Sequence, residues 1–161
     1  MRYLLLFSSF LFVLPSFAQS IPNKEFDWFP NESPALEIDS ITCLFAKVEN
    51  DPVLKQFSRS EFENFLAKAI SEWGLSDEQE GVLKLKLNFL KNGQFFLVST
   101  GLKDIALNET QLNKLTSLFD NIHEFQCGKQ MGEEVNCQAL LYVYIERGAF
   151  RRIHPVNFLF N

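Results

Sequence analysis

Histidine is scarce in this 161-residue chain, with His123 and His154 alone, and cysteine stops at three: Cys43, Cys127 and Cys137. Structural zinc wants four Cys or His ligands at tight paired spacings. The chain has no Cys-x-x-Cys and no paired histidines, so no metal site is expected. Gly-x-Ser-x-Gly, His-Glu-x-x-His and a phosphate-cradling glycine loop are all missing. Catalysis needs a nucleophile or an acid/base placed by a partner group. His123 follows a helix, where a histidine suits the helix C-terminus electrostatically, and His154 precedes Pro155 in the tail. The acidic run Asp77-Glu78-Gln79-Glu80 reads as a solvated turn. A noncatalytic protein without a cofactor is expected.

Positive charge is also short, with 15 Lys and Arg against 20 Asp and Glu for a net charge of −5. No Lys/Arg stripe interrupts that balance, which argues against nucleic acid as a partner. The chain has one long apolar run, Leu4 to Phe17, about 14 residues against the ~20 that cross a bilayer. No stable membrane anchor is therefore expected. Arg2 precedes the run and Ser16-Phe17-Ala18 ends it as a small-x-small cleavage site, so residues 1–18 read as a secretion signal. Residues 19–161 suit one domain in length. The expected location is periplasmic or secreted.

Export puts the cysteines where a disulfide persists. Cys127 and Cys137 flank Gly128-Lys129-Gln130-Met131-Gly132, a stretch able to turn the chain and join them. Closing that loop is worth about 2–3 kcal/mol on the chain-entropy estimate. The pairing Cys127–Cys137 is expected, with Cys43 to either partner as its rival, and one thiol is left over either way.

Residues 19–57 read as an extended N-terminal arm and lead-in segment, residues 58–161 as the folded domain. Pro22, Pro30 and Pro34 surround Phe26, Trp28 and Phe29; such a segment resists helix, and its rings either dock on the domain or stay free to recruit a partner. Ser58-x-x-Glu61 and Ser60-x-x-Glu63 are capping boxes and predict a helix starting near Ser60. Phe62, Phe65, Leu66, Ala69, Ile70 and Trp73 give it one apolar stripe. Leu83, Leu85, Leu87 and Phe89 alternate with Lys84, Lys86 and Asn88, the period of a half-buried strand. Asn92-Gly93 predicts a type I′ turn into a second strand, Gln94 to Thr100. Asn108 with Gln111 caps a second amphipathic helix over about 109–122. Gln138 to Glu146 forms a third strand, with Leu140, Tyr142 and Tyr144 on one side. The tail after Gly148 adds a fourth by hairpin, held to an edge by Pro155.

The order helix, hairpin, helix, strand and the segment Phe125-Gln126-Cys127-Gly128-Lys129-Gln130-Met131-Gly132-Glu133-Glu134-Val135 resemble TonB C-terminal-like domains. Phe125 matches that family's loop aromatic, Gly128-Lys129 its Gly-Lys pair, and Gly132 and Val135 its later Gly and Val. The likeness spans about residues 58–147. It implies an α+β fold, a three-stranded antiparallel sheet with two helices packed on one face. It also implies binding of an envelope protein or peptide by addition to an edge strand, here Gln138–Glu146 with Leu140, Tyr142 and Tyr144 as contacts. The family's loop Pro is Cys127 here, and its spacer and anchor are lacking, so energy transduction is not implied. A homodimer stays open. Eighteen phenylalanines, four of them in the signal, supply a second reading, a small secreted carrier of an apolar ligand.

Overall fold

The computed structural model describes residues 26–30 and 44–161. The secretion signal, Cys43 and most of the arm and lead-in segment lie outside them. The elements run β1 (Asp27–Pro30), β2 (Val53–Leu54), α1 (Arg59–Ser71), β3 (Gly81–Phe89), β4 (Phe95–Lys103), α2 (Glu109–Phe119), β5 (Phe125–Gln126), β6 (Gly128–Gln130), β7 (Glu133–Val135), β8 (Cys137–Glu146), β9 (Ala149–Val156) and β10 (Leu159–Phe160). The main sheet has five strands in the order β1-β4-β3-β8-β9, all antiparallel. This corrects the expected three-stranded sheet with two helices on one face. The arm contributes one outer strand and the tail the other, two segments whose proline content weakens their strand signal. Small sheets β10-β2-β5 and β6-β7 add to the strand content.

Local chemistry explains the helices. Ser58 caps α1, two residues earlier than Ser60: its amide donates to Glu61 Oε2 at 2.8 Å and its hydroxyl accepts from the Glu61 amide. Glu63, the acid of the rival box, instead pairs with Arg59 at 3.0 Å. Asn108 and Gln111 form the same reciprocal cap on α2. Each cap satisfies orphan amides at a helix start.

The core lies between the helices and one face of the sheet. Leu83, Leu85, Leu87 and Phe89 of β3 join Ala139, Leu141, Val143 and Ile145 of β8, Phe62, Leu66 and Ile70 of α1, and Leu115 and Phe119 of α2. Aromatic rings fill one end: Phe89 lies 4.8 Å from Phe95 and 5.5 Å from Phe125, and Phe62 6.2 Å from Phe119, centroid to centroid. Val48 and Leu54 of the lead-in segment belong to the same core.

The turns depart from expectation. Asn92-Gly93 does not form a type I′ turn: Gly93 alone has positive φ, and its amide closes on the Leu90 carbonyl at 2.9 Å. The longer loop, a turn followed by a left-handed glycine, is the other common hairpin solution. Two-residue connections with both residues at positive φ occur at Arg147-Gly148 and Met131-Gly132 instead. Gly148 has a second constraint, since a Cβ there would meet the Ser76 carbonyl oxygen at 2.5 Å.

Candidate functional site: the open face of the sheet

Strand alternation sends every second side chain away from the helices. The register then lines those residues into rows. Trp28, Gly101, Lys84, Tyr142 and His154 stand opposite one another across the five strands. Lys103, Val82, Tyr144 and Arg152 make the row on one side, and Ser99, Lys86, Leu140 and Val156 the row on the other. Lys84, Lys86, Tyr142 and Tyr144 are half-buried, while Trp28 remains 43% exposed.

Cations on this face rest on rings. Lys84 Nζ lies 5.4 Å from the Phe26 centroid, 5.5 Å from Trp28 and 5.6 Å from Tyr142. Lys86 lies 5.2 Å over Trp28, Lys103 6.0 Å from Phe26, and the Arg152 guanidinium 4.4 Å over Tyr144. Such contacts are worth about 0.5–1 kcal/mol each where exposed. Among the described residues none of these four cations pairs with a carboxylate; the ion pairs are Arg59–Glu63 and Arg151–Glu146. Ring quadrupoles hold the ammonium groups in place without neutralising them.

Gly101 makes the seat for the arm. A Cβ at that position would meet Phe26 Cβ at 3.1 Å and Trp28 Cε3 at 3.3 Å. The missing side chain lets Phe26 and Trp28 straddle β4 and reach Lys84, so the arm's rings dock as a strand rather than hang free. β1 spans only Ser99–Leu102 of the nine-residue β4.

The edges of the sheet differ from expectation as well. Gln138–Glu146 is not an edge: β8 pairs along its length with β3 on one side and with β9 on the other. Leu140, Tyr142 and Tyr144 are therefore reachable from the face alone. The outer edge of β9 is guarded. Pro155 has no amide to give, a bulge falls between the Tyr144–Arg152 and Ile145–Phe150 pairs, and Arg59 Nη2 donates to the Ile153 carbonyl at 3.1 Å. Prolines, bulges and covering side chains all blunt strand addition.

Other concavities carry less chemistry. A cleft of about 670 Å³ opens at one end of the face between Glu80, Asp104, Tyr144, Glu146, Arg151 and Arg152. Another, about 460 Å³, brings Lys55, His123, Cys127 and Glu134 together. Burial, with smaller effects from Cys137 and Glu134, pushes the Cys127 thiol up to about 11. At pH 7 its thiolate fraction is then roughly one in ten thousand, the reverse of an activated nucleophile. Cys137 is raised as well, mainly by burial. Both are buried free thiols, so the structure does not contain the expected Cys127–Cys137 disulfide. The β6–β7 hairpin does bring them near one another, but β8 begins at Cys137 and fixes its side chain toward Phe89, whose carbonyl lies 3.9 Å from its Sγ.

The loop residues behind the resemblance serve packing. Phe125 joins the ring cluster, Gly128 packs under Val48 where a Cβ would meet Cγ2 at 2.8 Å, and Val135 packs against the core. The Lys129 backbone exchanges hydrogen bonds with Asn50, and Gly132 turns at the exposed hairpin tip. None of the five lies on the open face. Sequence reasoning found Tyr142, Tyr144 and Leu140 but missed Lys84, Lys86, Lys103, Gly101 and Arg152 as their neighbours. The signal was the lysine half of the β3 alternation, the outward side of a half-buried strand. Comparison with known proteins adds no family: no family model, curated protein or solved structure matches the chain.

Proposed function

We propose that this is an exported, noncatalytic binding domain that takes an extended segment of an envelope protein by strand addition, at the β4 edge. The observation that carries this reading is β1 itself, an extended segment seated on β4 over Gly101 in antiparallel register. In strand addition, backbone pairing gives affinity and alternate side chains give specificity. Positions 26 and 28, facing Lys84, are the ones the seat reads, and an aromatic-x-aromatic segment suits it. The resident arm then occupies the site as a built-in ligand that a partner strand displaces.

The test uses full-length Phe26→Ala/Trp28→Ala protein, whose own arm competes poorly. A fluorescein-labelled peptide copying residues 24–31 is expected to bind it, and to lose binding when Gly101→Val is added. Equal binding with and without Gly101→Val overturns the reading.

A further inference from the structure

We infer that the open sheet face is a docking surface for an acidic, extended polypeptide segment, lying along β3 beside the strand seat at β4 and sharing Lys84 with it. Within the three rows described above, lysine and arginine occur on β3, β4 and β9, and no carboxylate does. The chain as a whole carries 20 acids against 15 bases, so this segregation runs against its composition. Cations held over rings, with no carboxylate in their rows, form a preset positive surface, and charge complementarity favours an anionic partner there.

Geometry selects a polypeptide. Lys84 and Lys86 lie two residues apart on one strand, about 6.8 Å, the same repeat as alternate side chains of any extended peptide. A segment laid along β3 with acids at alternate positions meets both ammonium groups at once. Tyr142, opposite Lys84 on β8, borders that track, and Lys103 and Arg152 extend the positive surface to either side of it. At the cleft end of the face Glu80 opposes a continuing acidic run, while Glu146 there is already paired with Arg151 at 3.3 Å.

The test titrates an alternating Glu-Ser octapeptide into full-length Trp73→Phe protein, which leaves Trp28 as its tryptophan reporter. Trp28 emission is expected to change on binding, and Lys84→Gln/Lys86→Gln to weaken binding at least ten-fold. Lys55→Gln, outside the face, is expected to leave it unchanged. If the double variant misfolds by circular dichroism, Lys103→Gln/Arg152→Gln is expected to weaken binding by a smaller factor. Affinity unaffected by the face variants overturns the inference. So does equal binding of a block peptide with all its glutamates in one half and all its serines in the other, which denies the spacing, or tighter binding of a heparin-derived oligosaccharide. Failure of the labelled arm peptide to bind leaves these outcomes untouched, since Gly101 takes no part in them.

Discussion

Leu83, Leu85 and Leu87 point to one side of β3 and are at most 1% exposed; Lys84 and Lys86 point to the other and are half-buried. The same strands therefore build a dry layer against two helices and a charged layer against solvent. On the first side a side chain is chosen by volume, because close-packed interiors tolerate little change. On the second, ring and cation identities matter more than shape. Stability is concentrated on one face, and recognition has room on the other.

Substitutions test that division most strongly in the core. Leu85→Ala or Phe62→Ala is expected to lower unfolding free energy by about 2–5 kcal/mol in urea titrations. Lys84→Gln, one residue along, gives up its ring contacts and is expected to cost about 1 kcal/mol. Comparable losses from both would erase the distinction between the faces.

Thr100 sharpens it. This residue is fully buried opposite Leu85, and its Oγ1 has no hydrogen-bond partner among the described residues. A buried unsatisfied hydroxyl costs about 1–3 kcal/mol, whereas an apolar group of the same shape does not. Thr100→Val is therefore expected to raise the urea midpoint, and a fall would mean the hydroxyl contributes where it sits.

The smallest effect lies at the rim of the covered side. Hydrogen bonds from the Ser58 side chain and backbone hold Glu61 below its ordinary value of 4.5. A carboxylate lowered on folding adds stability that is complete above its unfolded value and lost as pH falls through the folded one. Acid melting curves of Glu61→Gln should accordingly lose part of their slope below about pH 4.5. An unchanged slope would remove the capping carboxylate from the acid response.

Much of the scaffold was legible because its signals are local. Capping boxes at Ser58 and Asn108, and the leucine alternation of β3, need only neighbours in sequence. Sheet size was not legible, because β1 joins β4 through residues distant in the chain and carries a proline that counts against a strand. The loop at Asn92-Gly93 misled for a related reason, since the dipeptide suits two hairpin geometries and chain length decides between them. The positive surface escaped notice because its cations come singly from separate strands. A stripe assembled across Lys103, Lys84 and Arg152 is invisible to any window along the sequence. Tyr142 and Tyr144 were found as a pair of rings, yet their strand was assigned an edge that the tail covers.

That cover has a consequence for how copies of the chain meet. With Pro155, a bulge and the Arg59 guanidinium along β9, the sheet can lengthen on one flank alone. Contacts made through the arm flank thus terminate at a pair, and the five-stranded sheet has no second sticky side from which a fibril would propagate.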